Sequence, residues 1–141
     1  MKTVVAYILL LSVCSTMLSA EDVVITIRLV NGRNGKPISD ENLNVFINGS
    51  GFAENYRADK NGIIRLTLDQ NATVSFASNI EVACHPYTSQ ERQQRQYRVS
   101  EILDHGIADE NLCSKKIRAD AKAGEFVFYE RQRMFLEWWR L

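Results

Sequence analysis

The chain has 141 residues, and its 17 Lys and Arg side chains are balanced by 17 Asp and Glu side chains. This balance gives no electrostatic reason to expect a nucleic acid or an anionic membrane as a partner. A chain of this length is sufficient for one hydrophobic core, so we expect a single domain rather than several.

The first twenty residues, MKTVVAYILLLSVCSTMLSA, have the layout of a secretory signal peptide. Lys2 gives a short positive start, and the apolar run that follows at residues 4–13 is too short to span a bilayer. We predict cleavage near Ala20, a secreted or periplasmic location, and one domain in residues 21–141. The minor alternative is a lipoprotein acylated at Cys14, although Val13 stands where such signals usually carry a small residue. We predict no transmembrane segment in the processed chain.

The processed chain begins with the alternating segment DVVITIRLV, in which Val23, Ile25, Ile27 and Leu29 share one face. This pattern of β-branched residues predicts a strand. Further strands are predicted at LNVFI, ENYRA, IIRLTL, ATVSFAS, IEVACH and GEFVFYE. Turn residues separate them, including a tight turn from Asp59 to Gly62. About seven short strands with this spacing are typical of an all-β sandwich or barrel.

Two short helices are expected beside the strands. In SEILDHG, Ser100 is a candidate N-cap, Ile102 and Leu103 can point inward, and Gly106 can end the helix. In the tail RQRMFLEWWRL, the spacing of four residues between Met134 and Trp138, and between Phe135 and Trp139, favours a second helix.

Two turn motifs carry a family resemblance: Gly35-Lys36-Pro37-Ile38 after the first strand, and Ala58-Asp59 with Asn61-Gly62 before the strand IIRLTL. At these positions the chain resembles the carboxypeptidase regulatory-like, or transthyretin-like (prealbumin-like), domains, over roughly residues 23–80. The resemblance implies an all-β, Ig-like sandwich. The remainder looks similar to small secreted bacterial proteins of that fold class without assigned activity. Fold alone assigns no function.

The stretch EVACHP places Cys84 directly before His85, which suggests a nucleophile with its base, a metal site or half of a disulfide. Adjacent residues on a strand point to opposite faces, so the two side chains could not readily share a proton. Removal of the leader takes Cys14 away and leaves Cys84 with Cys113. In an oxidising compartment, two cysteines predict a Cys84–Cys113 disulfide.

No convergent catalytic or metal-binding set is visible, so we predict no catalytic residue, no metal and no cofactor. The transthyretin fold hosts the hydroxyisourate hydrolases, whose sites need several histidines and arginines and a YRGS-type C-terminus. This chain has two histidines, His85 and His105, and ends in WWRL, so we do not expect that activity. Asp59 and Asn61 are explained by their turn. The sequons at Asn48 and Asn71 are candidate glycosylation sites if the protein is eukaryotic. In a bacterium they would be chance matches, and the family resemblance favours a bacterial source.

We therefore expect a non-catalytic binding or structural module whose partner is an unknown protein or glycan. One alternative is a carbohydrate-binding module that uses Phe135, Trp138 and Trp139, three apolar side chains that could equally belong to the core. The other alternative is a small hydrolase that uses His85 or His105 with acidic neighbours such as Asp104 or Glu81.

Overall fold

The computed structural model describes residues 21–78, 82–85, 91 and 95–132. This part of the chain is mostly β, with nine strands in two sheets and a short helix. In chain order the elements are β1 (Asp22–Asn31), β2 (Asn42–Ile47), β3 (Glu54–Arg57), β4 (Ile63–Asp69), β5 (Thr73–Ser78), β6 (Val82–Ala83), β7 (Tyr97–Arg98), α1 (Val99–His105), β8 (Ile107–Ala108) and β9 (Glu125–Arg131).

The first sheet has the order β4-β1-β9-β6, and β8 also pairs with β9. Strand β1 is antiparallel to β4 but parallel to β9, so the last strand inserts beside the first one. The second sheet has the order β3-β2-β5-β7, and its pairings among the described residues are all antiparallel. The central position of β9 means that both of its faces need to be covered.

The two sheets share a hydrophobic core. Ile25, Ile27 and Leu29 alternate along β1 and are fully buried in this core, as the sequence pattern predicts. The ring of Phe126 on β9 lies 4.6 Å from the ring of Phe76 on β5, measured between centroids, and therefore joins the two sheets. The described chain is therefore mostly β, with two sheets around one core, an arrangement compatible with the predicted sandwich.

The tight turn at Asp59–Gly62 is present as predicted. The Asp59 carboxylate accepts hydrogen bonds from the backbone N–H groups of Asn61 and Ile63, at 2.8 and 3.0 Å. These bonds lower the pKa of Asp59 below its ordinary value. Gly62 has a φ of +73°, and a Cβ there would come within 2.8 Å of the Leu29 carbonyl oxygen, so the turn requires glycine.

The predicted short helix is also present, but its N-terminus differs from the expectation. Arg98 rather than Ser100 is the N-cap, and its side chain makes no capping hydrogen bond. Tertiary packing supplies the stability instead, because Val99 and Ile102 are fully buried. Gly106 ends the helix as predicted, and its backbone N–H donates to the Ile102 carbonyl oxygen at 3.0 Å.

The strands differ from the expectation in number and length. The described residues contain nine strands rather than about seven, because two-residue pairings form at β7 and β8. Among the described residues of the segment IEVACH, Val82–Ala83 form a strand, and the chain bends at Cys84 and His85. The predicted second helix lies in residues 133–141, outside the described part of the chain. No helix among the described residues is long and apolar enough to cross a membrane.

Candidate functional site

The disulfide predicted from the cysteine count is present. Cys84 and Cys113 are joined with an S–S distance of 2.04 Å and a Cα–Cα distance of 5.1 Å. Because its sulfur is covalently bound, Cys84 has no thiolate with which to act as a nucleophile or metal ligand. The bond connects the bend after β6 to the long segment between β8 and β9. It is compatible with an extracellular or periplasmic location.

His85 faces away from its neighbour, as expected. Cys84 packs in a small cluster with Val127 and Tyr129, on the outer face of the first sheet. The His85 ring lies 6.2 Å from the ring of Phe128, which belongs to the core between the sheets. The two side chains therefore lie on opposite sides of the sheet and do not form a nucleophile–base pair.

The outer face of β9 is covered by residues 109–121, which we call the strap. The buried residues beneath it are Val30, Cys84, Val127 and Tyr129, and the strap packs Cys113, Ile117, Ala119 and Ala121 against them. The strap contains no strand and no helix. Its position is therefore determined by side-chain contacts and individual hydrogen bonds, and not by the regular backbone hydrogen bonds of paired strands.

Asn111 is the main polar tie between the strap and the sheet. Its side-chain amide nitrogen donates to the Gly32 carbonyl oxygen and to the Ile117 carbonyl oxygen, both at 2.9 Å. Its side-chain oxygen accepts from the backbone N–H of Cys113 at 3.1 Å. One amide side chain thus links the exit of β1, the disulfide and the returning half of the strap.

Gly32 allows this close approach. A Cβ at this position would come within 2.5 Å of Asn111 Oδ1 and 2.6 Å of Cys84 Sγ, distances that a real Cβ does not show. The Gly32 backbone N–H also donates to the Glu130 carbonyl oxygen at 2.8 Å. The absence of a side chain at Gly32 is thus a condition for the strap to rest on the sheet.

The other end of the strap is tied by Tyr129 and Arg28. The Tyr129 hydroxyl oxygen accepts from the Ala119 backbone N–H at 2.6 Å. Arg28 on β1 donates to both carboxylate oxygens of Glu125, at 2.9 and 3.1 Å, and to the Asp120 carbonyl oxygen at 2.9 Å. A planar guanidinium suits this forked geometry. The strap is thus fixed at both ends and at its disulfide.

The strap makes two passes, at residues 109–112 and 114–120, and these passes and Tyr129 line a groove with a volume of about 570 Å³. Its size falls in the range of small-molecule sites, roughly 300–1,000 Å³. Its lining consists of residues from the end of β8, the strap and β9: Ala108, Asp109, Glu110, Asn111, Leu112, Ser114, Lys115, Ile117, Arg118, Ala119, Asp120 and Tyr129. The groove is therefore a product of the strap, and it is our candidate functional site.

The groove combines apolar and charged groups. Leu112 lines it with 52% of its surface exposed, a large fraction for a leucine. Glu110, Lys115 and Arg118 are exposed along the same groove. Exposed apolar surface with a few polar groups around it is characteristic of ligand sites.

The other predicted site residues lie elsewhere. Asn48 and Asn71 are both exposed, and Asn48 Oδ1 accepts from the Thr73 backbone N–H at 3.0 Å. His105 is exposed at the end of α1, away from the residues that line the groove. Phe135, Trp138 and Trp139 lie outside the described residues, as does Glu81. Within the described ranges, no group of three or more His, Cys, Asp or Glu residues is placed to hold a metal ion.

Sequence reasoning assigned no function to the residues that line the groove, and the one strap residue that it named was Cys113, which anchors the strap. Residues 109–121 have neither strand nor helix periodicity, so nothing in the pattern indicates the face that they cover. The available signal was β9 itself: GEFVFYE is apolar on both faces, with Phe126 and Phe128 on one and Val127 and Tyr129 on the other. A strand that is apolar on both faces needs a second covering layer.

Comparison of the whole chain with protein-family models, with curated proteins and with solved structures gave no match. The family resemblance of the turn motifs therefore has no independent support from these comparisons. The functional argument depends on the geometry of the groove.

Proposed function

We propose that this protein is a secreted or periplasmic binding module of the transthyretin-like kind, without catalytic activity, whose ligand occupies the groove between the two passes of the strap. The observation that carries the proposal is the groove itself, a concave surface of mixed polarity on a covalently anchored segment. Rigid β-sandwiches commonly present binding groups on loops of this kind.

The exposed residues of the strap support binding rather than simple coverage of the core. Coverage of the core requires only apolar contacts. The strap also places exposed charged side chains and an exposed leucine along a groove. Because the disulfide, Asn111 and Tyr129 fix the walls beforehand, a ligand would not need to order them on binding.

The transthyretin-like kinship and the cellular location are part of the same proposal. The turn motifs, the two packed sheets and the glycine-dependent turn at Gly62 support the kinship. The layout of residues 1–20 and the Cys84–Cys113 bond support export.

A ligand screen by NMR tests the proposal. The ¹⁵N-labelled protein, recovered from the periplasm of an expression host, would be titrated with small peptides, oligosaccharides and organic acids. We expect saturable amide shifts confined to the strap and β8 for at least one class. Saturable shifts for none of them, or shifts confined to the tail with Trp138 and Trp139, would contradict the proposal, and the latter would favour the carbohydrate-binding alternative.

Two exposed apolar residues form a matched pair for this experiment. Leu112 is 52% exposed and lines the groove, whereas Val24 is 56% exposed on β1 and lies outside it. Replacement of Leu112 by Ser should weaken the binding by several-fold, because its apolar surface no longer contacts the ligand. Val24→Ser should leave the affinity unchanged, since its side chain takes no part in the groove.

A further inference from the structure

We propose that the groove takes a zwitterionic ligand, a short peptide with free ends, whose ammonium group lies at the Glu110 wall and whose carboxylate lies at the wall formed by Lys115 and Arg118. This inference deepens the proposed function and rests on it, because it names the chemical class of the ligand in the same groove. It is argued from the charges, the backbone groups and the size of the groove.

The two walls of the groove carry opposite charges. The first pass, at residues 108–112, contributes the carboxylates of Asp109 and Glu110. The return pass, at residues 114–120, contributes the cationic side chains of Lys115 and Arg118 before the chain reaches Asp120. Asn111 holds the two passes together through its 2.9 Å hydrogen bond to the Ile117 carbonyl oxygen. Acidic and basic groups are thus arranged on different walls of one groove.

Three of these charges are not paired within the described part of the chain. Glu110, Lys115 and Arg118 form no ion pair with any residue in the described part of the chain. These three exposed side chains are therefore available to a charged ligand. A ligand with both charges, separated by a short spacer, can contact the two walls at once, whereas a neutral or singly charged ligand can contact only one of them.

The backbone of the strap adds donors that suit a peptide. The N–H groups of Glu110, Ser114 and Arg118 donate to no acceptor within the described ranges. Free main-chain donors beside a groove can bind peptide carbonyl groups and a terminal carboxylate. Leu112 and Ile117 supply apolar contact for a side chain between the two ends.

The size of the groove limits the ligand to a few residues. An extended peptide advances by about 3.5 Å per residue, so a tripeptide spans roughly 10 Å. Such a ligand is suitable for a groove of about 570 Å³. Among the described residues that line the groove, the one aromatic side chain, Tyr129, is only 2% exposed and offers no face on which a sugar could stack. These features favour a peptide over a glycan.

The test is a titration of the intact, oxidised protein with the tripeptide Gly-Leu-Gly in two forms, observed through backbone amide shifts. One form has free ends, and the other is N-acetylated and C-amidated. We expect saturable shifts in residues 109–120 with the free form, and binding of the blocked form that is about tenfold weaker or more, because it has lost both charge-assisted contacts.

Matched charge variants assign the two ends. Glu110→Gln and Arg118→Gln should each weaken binding of the free tripeptide by about tenfold, as expected for one lost charge-assisted contact. The controls are Glu101→Gln on α1 and Lys60→Gln in the turn before β4, which change an exposed charge outside the groove and should leave the affinity unchanged. Thermal unfolding of each variant would verify that the fold is retained.

The outcomes separate this inference from the proposed function. Equal binding of the free and blocked tripeptides, or no effect of Glu110→Gln and Arg118→Gln, would overturn the zwitterionic ligand while the groove remains a binding site. The absence of saturable shifts with millimolar free tripeptide would also overturn it. If oligosaccharides or organic acids then shifted the same amides, the proposed function would stand with a different ligand class.

Discussion

The two faces of β9 are buried by different means. On the inner face, Phe126 and Phe128 pack against another sheet, and the core there is continuous over both layers of the sandwich. On the outer face, Val127 and Tyr129 are covered by a strap without regular structure. The first arrangement distributes its stability over many contacts, whereas the second depends on a few ties.

This difference places the proposed binding site on the face of β9 whose covering layer is held by a few ties. The inner core can be repacked only by disturbing both sheets, so it is a poor place for a changeable site. The outer layer is fixed by the disulfide, Asn111, Tyr129 and Arg28, while the residues between these ties are exposed. A strap of this kind can form a groove without a large effect on the sandwich beneath it.

The largest effect is expected at the inner face. Phe126→Ala removes a ring whose centroid lies 4.6 Å from that of Phe76 and 4.7 Å from that of Tyr97. We expect the free energy of unfolding to fall by about 3–5 kcal/mol, as is usual when a buried Phe is truncated. Denaturant titration would measure the loss. Val24→Ala, on an exposed side chain of β1, should change the same quantity by less than about 0.5 kcal/mol.

The next effect concerns the covalent tie. Replacement of both Cys84 and Cys113 by Ser removes the cross-link between two positions that are 29 residues apart in sequence. We expect a loss of about 2–4 kcal/mol in the free energy of unfolding, since the unfolded chain gains conformational freedom. The reduced wild-type protein provides the control, because it lacks the bond but keeps both side chains. A loss below about 1 kcal/mol in both would mean that the disulfide contributes little.

A smaller effect is expected where the strap meets β1. Gly32→Ala places a methyl group within 2.6 Å of both Asn111 Oδ1 and Cys84 Sγ, so the strap must shift. We expect a loss of about 1–3 kcal/mol, with the amide shifts altered mainly in the strap. Gly51→Ala is the matched control, because a Cβ there has no atom within 4 Å. If the two variants were equally stable, the close contact at Gly32 would be of no consequence.

The smallest effect concerns a turn far from the strap. The pKa of Asp59 is lowered by hydrogen bonds from the backbone N–H groups of Ile63 and Asn61, so its contribution to stability is present at neutral pH. This contribution decreases once the pH falls below 3.8, the ordinary pKa of the carboxyl group. It is lost when the pH has fallen through the lower pKa of Asp59 in the folded state. The melting temperature of Asp59→Asn should therefore be lower than that of the wild type at neutral pH, and the difference should vanish in acid. A difference that did not depend on pH would contradict this assignment.

The sequence predicted the inner layer much better than the outer one. The alternation of Ile25, Ile27 and Leu29 and the turn at Asp59 are local patterns, and local patterns determine strands and turns. The Cys84–Cys113 bond followed from a count of cysteines. The strap could not be predicted in this way, because contacts such as Asn111 to Gly32 join residues 79 positions apart in sequence and leave no periodic pattern.

The two-residue strands show a related limit. Strands β7 and β8 have two residues each, and they are recognised by their pairing with β5 and β9. Strand β7 ends at Arg98 because helix α1 begins at Val99. The N-terminus of α1 is similar: Ser100 has the propensity of a cap, but the helix begins at the buried Val99, two residues earlier than a Ser100 cap would place it. In both cases tertiary packing outweighed local preference.

We interpret the strap as a separately held layer that forms the groove over an independent sandwich. Hydrogen exchange of the native protein, measured before and after reduction of the disulfide, tests it most directly. We predict that the strap amides of Leu112, Cys113 and Ala119 exchange faster after reduction, while those of Ile27 and Phe76 remain protected. Unchanged protection in the strap, or a simultaneous loss of protection in the strap and in both sheets, would contradict the claim.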